Sequence, residues 1–140
     1  MYRVFPALEA RFNRNRRLVG LARRLYHGLA GQQRGTRDSV EVTGSIVGNE
    51  DTFGTDEPIY ELIFTVFGSG TLPDRTAAIL EELERTYKDG VLDSAYFDVS
   101  AMLLTNASGP ELGEGKVWQG RMVYELYVCR KVGVPVERRV

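Results

Sequence analysis

His27 is the sole histidine in a chain of 140 residues, and Cys129 is the sole cysteine. A Ser-His-Asp or Cys-His device would have to centre on His27, with Cys129 or a serine brought beside it, because a weak nucleophile needs a neighbouring base. No serine lies in a G-x-S-x-G elbow, the strained turn that presents a hydrolase nucleophile. His27 therefore reads as a surface or edge residue, and Cys129 as a small buried or half-buried strand residue. A single cysteine allows neither an intrachain disulfide nor the usual multi-cysteine zinc site.

Two further groupings invite a chemical reading. Glu50, Asp51, Asp56 and Glu57 crowd a glycine-rich run at residues 47–58. Several oxygens suit a hard cation, but the spacing is not that of an EF-hand, and an exposed acidic hairpin loop that meets a basic partner fits the pattern better. Gly68-Ser69-Gly70 occupies the position of a phosphate cradle, yet lacks the third glycine of a dinucleotide fingerprint and the Lys-Ser/Thr of a P-loop. A turn that starts a helix accounts for it. No cofactor and no metal are expected, and no convergent set of titratable groups marks an enzyme.

The densest charge feature is the arginine series Arg3, Arg11, Arg14, Arg16, Arg17, Arg23 and Arg24, opposed locally by Glu9 alone. Since the whole chain has a formal net charge of -1, it lacks the globally basic surface that neutralises many phosphates. Positive charge in one segment and negative in another suits head-to-tail association between copies. A contact with a nucleic-acid backbone and a merely solvated face are the competing readings.

These groups must be positioned by an ordinary folded core, for which 43% apolar and 26% charged residues are sufficient. The length fits one domain, expected over residues 1–131, with residues 132–140 as a tail or an arm lying along a neighbour. Residues 6–25 carry Leu8, Phe12, Leu18, Leu21 and Leu25 at roughly helical spacing, with a break expected at residues 13–15. Val40, Val42 and Ile46 alternate with polar residues as a strand, and Tyr60, Leu62, Phe64 and Val66 do so more strongly. Thr71 is expected to cap a helix over residues 74–88, with Thr76, Leu80, Leu83 and Tyr87 on its inner face. Strand periodicity returns at Phe97, Val99, Ala101 and Leu103, gives way to a turn-rich stretch at 106–115, and resumes at Trp118, Met122, Tyr124, Leu126 and Val128. The order α-β-β-α-β-β predicts an α+β fold: an antiparallel sheet of about four strands with helices packed on one face. The mostly apolar stretch at 62–67 is too short to span a bilayer, and the N-terminus lacks the apolar core of a signal peptide, so neither insertion nor secretion is expected.

Arg24-Leu25-Tyr26-His27-Gly28, the strand around Tyr60 to Phe67, the helix with Ala77 and Ala78 near its start and the closing strand Tyr124 to Val128 together resemble the tail terminator, or tail completion, proteins of tailed bacteriophages. The likeness spans residues 6–131 as a pattern of segments. The family's "RIYDG" phrase looks like residues 24–28 here, with His27 in place of the acidic residue, while its Pro-Tyr entry to the first strand is absent, where this chain has Arg37-Asp38-Ser39. The resemblance implies a virion protein, assembled in the host cytoplasm, that forms a hexameric ring on the head-proximal end of the tail tube. Such a ring stops tube polymerisation, meets the connector on the capsid and lets DNA pass through its lumen unread. Under that expectation Glu50, Asp51, Asp56 and Glu57 make a ring or tube contact, and Arg14, Arg16 and Arg17 form the complementary surface. Another neck-ring subunit and a small nucleic-acid-binding accessory protein are the alternatives.

Overall fold

The computed structural model describes residues 1–28, 38–52 and 55–135. Helices α1 (Phe5–Arg14) and α2 (Arg16–Ala22) lead into strands β1 (Leu25–His27), β2 (Ser39–Thr52) and β3 (Thr55–Gly68). Helix α3 (Asp74–Tyr87) follows, then β4 (Phe97–Leu112), a 3-10 turn at Glu114–Lys116 and β5 (Trp118–Arg130). The α+β class and the progression from helices to paired strands, helix and paired strands are as expected. The sheet, however, has five strands in the order β1-β2-β3-β5-β4. The additional strand is β1, only three residues long and parallel to β2, too short to leave a periodic signature.

The break between the first two helices is made by Asn15, whose backbone is extended at φ -87° and ψ 97°. Its Oδ1 accepts hydrogen bonds from the N–H groups of Arg17 and Leu18, satisfying donors that a helix start leaves unpaired. The third helix starts after Pro73 without a side-chain cap, so Thr71 does not take the role expected of it. Asp38 organises this turn instead: its Oδ1 accepts from Ser69 N–H at 2.9 Å, and its other oxygen pairs with Arg75. A side chain at position 68 would run into Thr76 Oγ1, which explains why glycine ends β3 where the chain turns tightly into α3.

The run 47–58 is not a loop. Its two arms continue β2 and β3 in antiparallel register as far as Thr52 opposite Thr55. Pairing of β3 with β5 begins only at Ile59 opposite Tyr127, one residue after Pro58, which has no N–H to offer a third strand. The acidic segment is therefore a two-stranded ribbon reaching past the sheet. Likewise β4 runs to Leu112 through the stretch expected to be turn-rich, with register shifts near residues 100, 105 and 109. At the first two, Ser100 Oγ and Thr105 Oγ1 donate to the Tyr127 and Val123 carbonyls, so hydroxyls take up acceptors where the ladder is interrupted.

One buried cluster joins the helices to the sheet: Leu8 and Phe12 of α1, Leu18 of α2 and Ile79 and Leu83 of α3 meet the alternate residues Tyr60, Leu62, Phe64 and Val66 of β3. Phe64 lies 4.9 Å from Tyr87 and 5.7 Å from Tyr124, ring centre to ring centre. The two tyrosines differ in their hydroxyls. Tyr87 Oη donates to the Leu8 carbonyl at 2.7 Å, whereas Tyr124 Oη is buried without a hydrogen-bond partner among the described residues. Burial, with the Glu84 charge adding to it, pushes the Tyr124 hydroxyl up to about 12. Tyr87→Phe is expected to lose about 1 kcal/mol of unfolding free energy, Tyr124→Phe to stay within ~0.5 kcal/mol of the parent, and Phe64→Ala to lose roughly 4 kcal/mol, all read by urea titration.

Candidate assembly interface

The structure separates the arginine series by what each guanidinium touches. Arg3 lies over Tyr2 and Tyr96 at 5.3 and 5.4 Å and donates to the Pro135 carbonyl at 2.5 Å. Arg11 donates to the Thr86 carbonyl at 3.0 Å and pairs with Asp89 at 2.9 Å, while Arg14 reaches Asp93 at 2.6 Å. These three hold α1 to the C-terminal segment, to the end of α3 and to the turn beyond it. Arg17 stands 3.7 Å from Glu82 with its side chain 79% exposed, and Arg24 stacks over Tyr26 at 4.5 Å. Arg16 and Arg23 are exposed and make no contact of these kinds among the described residues.

Arg11, Arg14, Arg17 and Arg85 border a surface cleft of about 330 Å³ between the first two helices and α3, with Asn15, Glu82 and Thr86 completing its wall. Glu82 is the centre of its charge. Asn15 donates to Glu82 Oε2 at 3.0 Å and to Thr86 Oγ1 at 2.9 Å, and Arg85 reaches Glu82 Oε1 at 2.8 Å. The Asn15 hydrogen bond, with the Arg17 and Arg85 charges, outweighs burial and holds the Glu82 carboxyl below the usual glutamate range. The cleft's guanidiniums are thus answered by carboxylates of the same chain, which leaves little net positive charge for an anion.

On the acidic side, the backbone puts Glu50 opposite Glu57 next to the Asn49–Pro58 pair at the ribbon's base, and Asp51 opposite Asp56 one pair further out. The side chains of Glu50, Asp51 and Asp56 lie outside the described residues. Glu57 is placed differently from the exposed loop position expected for it: it is buried at the ribbon's base, where its Oε2 accepts from Arg130 N–H at 3.2 Å. Arg130 Nε lies 3.4 Å from the same oxygen, close enough for an ion pair though not aligned as a hydrogen bond. Where Pro58 ends the ladder, this carboxylate takes the N–H that a third strand would have used. Arg130 also donates to the Val134 carbonyl at 3.0 Å, so the start of the C-terminal segment folds back on the domain; residues 136–140 lie outside the described residues.

His27 stacks on Phe5 at 4.9 Å on the edge strand β1, and Cys129 is exposed on β5 rather than half-buried. Two strands stand between β1 and β5, so three spacings of about 4.8 Å put roughly 14 Å between them across the sheet. They do not form a catalytic pair. No group of His, Cys, Asp and Glu that would hold a metal occurs among the described residues, and none of the described helices is long and apolar enough to cross a membrane.

No model of a known protein family matches the sequence, and no curated protein sequence matches it either. The fold has a solved counterpart. A chain from the virion of a native gene transfer agent particle superimposes with a TM-score of 0.68 at 15% identity, covering 94% of this chain and 100% of that one. At that identity the likeness is one of fold.

Glu82 yields a sign-specific expectation. A carboxyl held below its unfolded value contributes stability above the usual glutamate range and loses that contribution as the pH falls through the depressed value. Glu82→Gln is therefore expected to flatten the acid limb of stability against pH in thermal unfolding, and Asn15→Ala, which also removes the cap of α2, to cost about 1 to 2 kcal/mol at neutral pH.

Proposed function

We propose that this chain is a structural protein of a phage-like virion, acting as a tail terminator: a ring, hexameric by family resemblance, at the head-proximal end of the tail tube that stops tube growth and joins the tail to the head connector. Support comes first from the fold shared with a virion chain along nearly its whole length. A conformation preserved at 15% identity says nothing of chemistry by itself, but it agrees with a molecule whose single histidine and single cysteine are kept apart. The ribbon adds to this, since like charges set opposite one another are unfavourable until a cation approaches, and Glu50, Asp51 and Asp56 sit beyond the sheet on a strut anchored by Glu57. In this reading they contact the tube or the next subunit, and Arg14, Arg16 and Arg17 give the complementary surface, with Arg16 and Arg17 the more available. DNA passes through the lumen without sequence readout.

A nucleic-acid-binding role is the weaker reading, because Arg3, Arg11 and Arg14 are engaged within the chain and binding to a phosphate backbone needs several free cations. Mixed with purified tail tubes, the protein is expected to cap one end of each tube as a ring in electron micrographs. Arg16→Glu/Arg17→Glu is expected to lose the caps at physiological salt; caps retained by this variant sink the assignment of those arginines, and tubes left uncapped by the parent protein sink the reading as a whole.

A further inference from the structure

The helices pack on one side of the sheet, and among the described residues no helix covers the other. On that bare side Ile59, Ile63, Val123 and Tyr127 are half-buried and Leu103 is 52% exposed. Within this apolar frame the register puts Glu61 directly opposite Glu125, with Ser45 on the far side of one and Leu103 on the far side of the other. Neither carboxylate faces a cation across the ladder, and Glu125 accepts from the Tyr127 hydroxyl at 2.9 Å. A partly apolar sheet face with two adjacent carboxylates, and with Thr65 and Arg121 paired two rows away, is matched at those carboxylates by a partner that carries arginine, whose planar guanidinium suits carboxylates and apolar surfaces alike.

The same chain carries such a surface. Along α2 the exposed positions Arg16 and Gly20 lie one turn apart, and the exposed Arg23 stands just past the helix end as its C-cap, with its backbone at φ 65°. A glycine inside an exposed helix costs about 1 kcal/mol relative to alanine. Nothing among the described residues asks for it, since a Cβ at position 20 would meet no atom of theirs within 4 Å. Its use is close approach from outside. We infer that the α2 stripe Arg16–Gly20–Arg23 of one copy lies against the bare sheet face of a second copy at Glu61 and Glu125, a heterologous contact that repeats around a ring. The inference takes the occupant, another copy, from the proposed function, and gives Arg16 the sheet face of that copy as its partner in place of the acidic ribbon.

Two full-length charge variants test it. Glu61→Arg/Glu125→Arg makes both surfaces positive, and Arg16→Glu/Arg23→Glu makes both negative. Each alone is expected to raise the dissociation constant between copies, measured by sedimentation, by ~100-fold or more, whereas an equimolar mixture regains association through alternating subunits. A third variant, Gly20→Gln, fills open space with a good helix former; its melting temperature is expected to stay level or rise while association is lost. Self-association of either charge variant at the parent's strength, a mixture that stays dissociated, a Gly20→Gln protein that assembles normally, or a parent protein that remains monomeric at its highest soluble concentration overturns the contact. Tube binding is scored separately: charge variants that still cap tubes as rings leave the tail-terminator reading standing without this contact, and a parent protein that assembles through this contact but ignores tubes does the reverse.

Discussion

The central strand β3 is hydrogen-bonded on both sides from Ile59 to Phe67, and its alternate side chains Tyr60, Leu62, Phe64 and Val66 form the platform on which all three helices rest. Because the side-chain period of a strand is two, a one-residue slip at either neighbour would turn that neighbour's apolar set to the wrong side. Phe64 restrains such a slip through Tyr124 on β5 and Tyr87 on α3, and Tyr87 in turn is fastened to α1 through the Leu8 carbonyl. Strand register, placement of α3 and docking of the N-terminal helix are consequently one packing problem.

Electrostatics supplies a second layer of order on top of that packing. The N-terminal helices carry many arginines, and the structure engages most of them with carboxylates on or just after α3: Asp89, Asp93 and Glu82. Exposed pairs of this kind contribute little each, because water screens them and long side chains lose freedom. Glu82 is different. It is nearly buried and receives an amide hydrogen bond as well as charge, so removing a partner would leave a desolvated anion. The net effect is a basic segment whose free cations are confined to α2 and its end, a far narrower feature than seven arginines in a sequence suggest.

What was legible in the sequence follows from which forces leave a period. The strand around Leu62 and Phe64, the third helix with Leu83 and Tyr87 inward, and the break before Arg16 all bury apolar side chains on one side, and all are found where the pattern puts them. The acidic ribbon has the sequence of a loop, since its residues are polar and rich in glycine. Its strands continue the backbone pairing past Pro58, and backbone hydrogen bonds write nothing into side-chain spacing. The distal half of β4 escaped for a related reason: inserted residues at Ser100 and Thr105 reset the alternation, so no single period runs through it. The arginine series is readable in the sequence, but not that Arg3, Arg11 and Arg14 are engaged internally while Arg16 stays exposed, nor that Glu57 serves Arg130. Those facts depend on contacts between residues 57 and 130 or 14 and 93, which no local pattern encodes.

The two faces of the sheet show how one strand pattern can serve both folding and assembly. Toward the helices, β3 and β5 alternate large apolar residues, broken in β5 only by Gly120, over which the Leu80 side chain packs. Toward the bare side the same strands offer isoleucine, valine and tyrosine broken by Glu61 and Glu125. Those carboxylates make it poor core and adequate surface, for a wholly apolar face of this extent would associate without selectivity. A charge pair set against its own sign across the ladder costs the monomer some stability and favours only those partners that bring an arginine. In the contact inferred above, discrimination among partners would rest on what the chain tolerates by itself, a glycine in an exposed helix and two neighbouring anions.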